Sequence, residues 1–109
     1  MLEIADGVFR SNTETDAFEP DGEMGGLVHV VRGDDDVQAG LWQAPDGLPP
    51  FEVELDHHET VLVLEGSVEI EIEDGPTFEL RPGDIASFRK GIRSTWRPGP
   101  GFKELWVFS

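Results

Sequence analysis

No stretch of eleven residues in this chain carries a helical repeat of apolar positions, and Gly or Pro interrupts it at intervals of about ten residues. Between the interruptions the period is two. Val68, Ile70 and Ile72 alternate with Glu69, Glu71 and Glu73, a strand with one buried and one solvated face. Asp74-Gly75 makes a tight turn, and Thr77 to Leu80 returns as the partner strand. Phe51, Val53 and Leu55 alternate with Glu52 and Glu54, while Glu59 to Leu64 is apolar on both faces. Leu27 to Val31, Ile85 to Phe88, Ser94 to Trp96 and Lys103 to Phe108 read as further strands. Residues 11–26 are polar and Gly-rich and read as a long loop or an arm covering a sheet edge. Many short strands with turns between them predict one all-β domain, closed or nearly closed.

Composition narrows what such a domain does. With no cysteine among 109 residues, a disulfide framework, a thiolate metal site and a cysteine nucleophile are excluded. No apolar run approaches the length of a membrane-spanning helix. Met1 to Asp6 lacks the basic flank and apolar segment of a signal peptide, so a cytoplasmic protein is expected. A net charge of −15 repels phosphate backbones and anionic lipid, so neither nucleic acid nor membrane is an expected partner. The charge is uneven. Residues 1–80 hold two Arg against 21 acids, whereas residues 81–109 hold six cations against Asp84 and Glu104.

From residue 39 onward the sequence resembles a cupin, a small double-stranded β-helix or jelly-roll barrel. Glu59 and Gly66, separated by six residues, are similar to the end of the first cupin motif. Pro82-Gly83-Asp84, four residues, then Arg89-Lys90-Gly91 resembles the second, with Arg89 where Pro is usual. The finer likeness is to ureidoglycine aminohydrolase-like and ethanolamine-utilisation Q-type cupins. It rests on Gly40-Leu41-Trp42, Glu59 to Gly66, Gly91 to Trp96 with its Thr95-Trp96 pair, and Lys103. The resemblance implies a barrel core over residues 39–109, with residues 1–38 supplying N-terminal strands and an arm packed on it.

Most enzymatic cupins hold a divalent metal with two His and a Glu from the first motif and a His from the second. Transferred by spacing, the Glu is Glu59, the first two His positions fall on Glu52 and Glu54 or on Val53 and Leu55, and the last falls on Ser94. None is His. In one reading Glu52, Glu54 and Glu59, joined by His57, point inward and bind a hard cation through oxygen. In the other, Phe51, Val53 and Leu55 point inward and no metal is held. Converging carboxylates without a cation repel one another, whereas each buried apolar side chain is favourable by roughly 1.5–3 kcal/mol. The second reading is the expectation, and no cofactor is expected with it. His57 and His58, beside Asp56, read as a solvated turn, and His29 as a hydrogen-bonded residue of an apolar strand.

Strand alternation then groups Glu59, Val61, Val63 and Glu65 on one face, and Ser94 with Trp96 on another. The resemblance adds Trp42 and Lys103 to the pocket. The expected cup binds its ligand through Trp42, Phe51, Val63, Ser94 and Trp96, with core filling as the plain alternative role of the tryptophans. Glu59 and Lys103 are the candidate acid/base pair, or else a structural ion pair. Arg89, Lys90, Arg93 and Arg97 either form a basic rim drawing an anionic molecule past Arg93, or neutralise the acidic remainder. Three functions follow as alternatives: a small-molecule-binding cupin taking a small polar or anionic ligand without metal, a metal-dependent hydrolase of the ureidoglycine aminohydrolase kind, and a non-enzymatic homodimeric accessory domain.

Overall fold

A computed structural model describes residues 2–14, 16–34 and 37–109 of the chain. Twelve strands are assigned among them: β1 (Leu2–Ala5), β2 (Val8–Arg10), β3 (Glu19–Pro20), β4 (Leu27–Asp34), β5 (Val37–Gln43), β6 (Phe51–Glu54), β7 (Glu59–Glu65), β8 (Val68–Ile72), β9 (Thr77–Leu80), β10 (Ile85–Phe88), β11 (Arg93–Pro98) and β12 (Lys103–Phe108). They form a six-stranded sheet in the order β10-β7-β12-β5-β4-β3, a four-stranded sheet β6-β11-β8-β9, and a separate β1-β2 hairpin. Neighbours within each sheet are antiparallel. The two larger sheets face each other across one apolar core, the jelly-roll expected.

The alternation in the sequence is the alternation of burial. Val68 and Ile70 are fully buried while Glu69 and Glu71 are exposed. Phe51 and Val53 turn inward against that core, and Glu52 and Glu54 outward. On the outer face of the four-stranded sheet, Arg97 bonds Glu69 at 3.4 Å and Glu71 at 3.0 Å, and Arg93 bonds Glu54 at 3.1 Å. Arg93 and Arg97 thus meet acids on adjacent strands, their cross-strand neighbours on a solvated face.

Turns close where sequence chemistry allows. Asp84 caps the β9–β10 turn, accepting from the Arg81 amide at 2.8 Å while its own amide donates to the Arg81 carbonyl at 2.9 Å. Gly66, between β7 and β8, has φ of 68°, and a Cβ there would lie 2.7 Å from the Phe102 amide nitrogen. That close approach lets Phe102, the largest fully buried side chain, plug the end of the core.

Upstream, β4 pairs with β5 along its length and β3 with β4, which extends the six-stranded sheet back to Glu19. Residues 2–10 form the β1-β2 hairpin. In the arm that follows, Ser11, Thr13, Ala17 and Phe18 meet the outer face of the six-stranded sheet, through His29 and Lys103. There His29, nearly buried, sets Nδ1 2.9 Å from the Ala17 carbonyl and Nε2 2.9 Å from the Ser11 hydroxyl. A carbonyl only accepts, so Nδ1 donates to Ala17.

Candidate functional site

The inner face of the six-stranded sheet is built in register. Glu59 lies opposite Phe108, and Val61 opposite Trp106, across the β7–β12 ladder. On its other side β12 places Glu104 opposite Trp42, and Trp106 opposite Gly40. The absence of a side chain at Gly40 is used: a Cβ there would come within 2.8 Å of Trp106 Cζ2. From the facing sheet come Phe51, Val53 and Trp96. Together these strands enclose an open cup of about 400 Å³, with Asp21, Glu23 and Met24 of the arm at its lining.

Aromatic rings make much of the wall. Phe51 stacks on Trp96 at 6.2 Å between centroids and meets Trp42 edge-on at 6.1 Å. Trp106 and Phe108 lie 4.8 Å apart on the other side. The buried indoles are anchored through nitrogen: Trp42 Nε1 donates to the Gly25 carbonyl and Trp96 Nε1 to the Ser94 hydroxyl, each at 2.9 Å. Ser94 therefore acts on the cup through Trp96, and Val63 packs in the core without lining the cup.

Among the described residues, every ionisable side chain lining the cup is a carboxyl: Asp21, Glu23, Glu59 and Glu104. Glu59 is 6% exposed, and burial lifts its pKa to about 7. Glu104 is 4% exposed and is raised well above the ordinary carboxylate range, first by burial and then by the charge of Glu59. Its Oε2 has no hydrogen-bond partner. Glu104 is the residue that sequence reasoning missed. The signal was present, because Glu104, Trp106 and Phe108 alternate with Lys103, Leu105 and Val107.

The same alternation corrects Lys103. It faces away from the cup, donates to the Thr13 carbonyl at 3.3 Å and lies 5.1 Å from the centre of the Phe18 ring, tacking the arm to the barrel. The expected Glu59–Lys103 pair is not formed, because the two side chains project from opposite faces of one sheet. Arg93 is corrected likewise: it stands on the outer face with Glu54 and cannot meet a ligand in the cup. The basic rim that argued for an anionic ligand thus has no counterpart inside. Glu65, grouped by parity with Glu59, is exposed where β7 ends.

The residues named as possible metal ligands stand apart from one another. Glu52 and Glu54 project outward, Ser94 is engaged by Trp96, and His57 stands by Asp56 and against Phe108 with ring centroids 4.1 Å apart. Among the described residues no three His, Cys, Asp or Glu side chains converge as a metal would require. His58 accepts from the Lys90 amide at 2.9 Å and is a loop anchor.

Comparison with known proteins agrees with this architecture. The EutQ-like cupin domain matches residues 27–98. An RmlC-like cupin from Shewanella frigidimarina superposes with a TM-score of 0.74 at 18% identity, covering 91% of this chain and 87% of that one. A putative ethanolamine utilization protein Q from Salmonella typhimurium gives 0.68 at 21% identity, over 84% and 76% of the two chains. A cupin superfamily protein from Desulfitobacterium hafniense gives 0.65 at 25% identity, over 75% and 74%. No curated protein matches the sequence.

Proposed function

The chain belongs to the EutQ-like cupin family, and on that footing we propose that it is a small-molecule-binding cupin whose aromatic cup takes a small polar ligand without the help of a metal. The observation that carries this reading is the cup itself: about 400 Å³, walled by Trp42, Phe51, Trp96 and Trp106, with two carboxyls on its inner face. Largely apolar concavity with a few convergent polar groups is the usual form of a ligand site. Trp42 and Trp96, fixed through their nitrogens and packed against Phe51, hold the shape of the wall that a ligand would meet.

The test is a thermal-shift screen of small polar molecules on protein purified without chelator, alongside elemental analysis. The expected result is a rise in Tm with selected compounds and no added metal, lost in Trp42→Ala. About one equivalent of a transition metal, removed by EDTA with loss of stability, would overturn the metal-free reading.

A homodimer is the assembly that we expect. Its support is the β1-β2 hairpin, which exposes Leu2, Ile4, Val8 and Phe9. A two-stranded hairpin is marginal alone and gains stability when its apolar residues are covered. A second copy of the chain would supply that cover.

A further inference from the structure

The reading above leaves the ligand's chemistry open, and one buried group narrows it. Glu104 lies on the inner face of β12, opposite Trp42 and Val63, with Oε2 facing no donor. A buried oxygen without a partner is costly and is uncommon in folded proteins. Phe102, Trp42 and Trp96, all buried nearby in the same core, show that the site could have been filled with apolar atoms. A carboxyl stands there instead, on a residue that lines the cup.

We propose that the cup takes a protonated primary amine carried on a small apolar or aromatic body, with the Glu104 carboxyl as its principal counter-charge and Glu59 as the second. This rests on the small-molecule reading of the same cup. Three features point to this class. An ammonium has three N–H donors and supplies the hydrogen bond that Glu104 Oε2 lacks, which a quaternary ammonium cannot do. The walls offer ring faces, whose negative quadrupole attracts a cation while their area covers an apolar body. Asp21 and Glu23 line the cup without an opposing Lys or Arg, so the field draws cations in and turns anions away.

A bare divalent ion suits the site less well. Glu59 and Glu104 stand four positions apart along the β7–β12 ladder, with Val61 and Trp106 between them, and among the described residues no third ligand joins them in a cluster. A ligand with length, charged at one end and apolar elsewhere, fits that spacing. The raised proton affinity of both carboxyls agrees, since each stands in a site that lacks positive charge.

The test uses three probes that share a ring and differ in head group: benzylamine, benzyl alcohol and benzoate. Binding is followed at pH 7.5 by calorimetry on the full chain, treated with EDTA. Benzylamine is expected to bind at least about tenfold more tightly than benzyl alcohol, with benzoate weaker still. In Glu104→Gln that preference should fall to about threefold or less while the affinity for benzyl alcohol holds. Glu59→Gln, which should lower the preference less, carries the same comparison should the first variant fail to fold. Equal binding of benzylamine and benzyl alcohol, or a preference untouched by both variants, would overturn the amine and leave the small-molecule reading standing. Tighter binding of benzoate would do the same. Binding of Mn²⁺ alone at one equivalent, displacing benzylamine, would assign the carboxyls to a metal instead. Binding of none of the probes, together with a failed thermal-shift screen, would overturn both readings.

Discussion

Glu59 and Glu104 face one cup from adjacent antiparallel strands, and the charge on Glu59 raises the proton affinity of Glu104. Two carboxyls in an apolar enclosure lower the stability of the fold when they ionise. Natural proteins accept such costs at sites that bind.

The first prediction is a pH dependence. The pKa of Glu59 rises from 4.5 to about 7 on folding, so the folded state holds this proton more tightly than the unfolded chain. Its contribution is fully present below about pH 4.5 and is lost as the pH rises through about 7. The loss is on the order of 3 kcal/mol for a shift of that size. Urea unfolding of the wild type and Glu59→Gln from pH 5 to 8 should show the variant gaining on the wild type as pH rises. A constant gap would contradict the assignment.

Glu104→Gln should stabilise the ligand-free protein at pH 8, where ionising a buried carboxyl costs most, by about 1–3 kcal/mol. A rise in Tm at pH 8 that shrinks at pH 5 is the expected readout. A fall at pH 8 would mean that Glu104 has a partner in solution.

Ser94→Ala removes the acceptor of the Trp96 indole in a buried place, and should cost about 1–3 kcal/mol. It should also broaden the near-ultraviolet signal of the tryptophans, because Trp96 loses the bond that orients it. An unchanged spectrum with unchanged stability would show that packing alone holds the ring.

Gly40→Ala places a methyl group 2.8 Å from Trp106 Cζ2 and 2.9 Å from the His29 carbonyl oxygen. Overpacking of this kind costs about 1–3 kcal/mol and should swing Trp106 into the cup, reducing its volume. Weaker probe binding together with a lower Tm is expected. By contrast Arg97→Ala, on the solvated face, should cost less than about 1 kcal/mol despite its two ion pairs.

Phe9→Asp should dissociate the expected homodimer with little effect on the Tm of the barrel, since Phe9 lies on the exposed hairpin. Sedimentation velocity at micromolar concentration distinguishes the outcomes: a wild-type monomer would remove the dimer altogether.

Much of the fold could be read without coordinates. A period of two was enough to separate Val68 and Ile70 from Glu69 and Glu71, because a strand's sidedness is a property of consecutive residues. For Phe51 and Val53 against Glu52 and Glu54 it gave the two faces, and the cost of converging carboxylates favoured the apolar one inside. The turn chemistry at Pro82-Gly83-Asp84 and the demand for Gly at 66 are local in the same way. The burial of Ser94 beside Trp96 also follows from parity.

The site's charge was harder to see. Glu104 in a strand reads as an ordinary solvated acid, and its neighbour Lys103 as its natural complement or as a partner for Glu59. Which of the two faces turns inward depends on how the sheet closes, and closure is set by packing between strands far apart in sequence. Lys103 finds its acceptor at Thr13, ninety residues away in the chain. Local periodicity therefore specified strands, turns and the two faces of each strand. The closing of the barrel alone put Glu104 with Glu59 inside and Lys103 outside, because burial is a relation between elements and no single strand carries it.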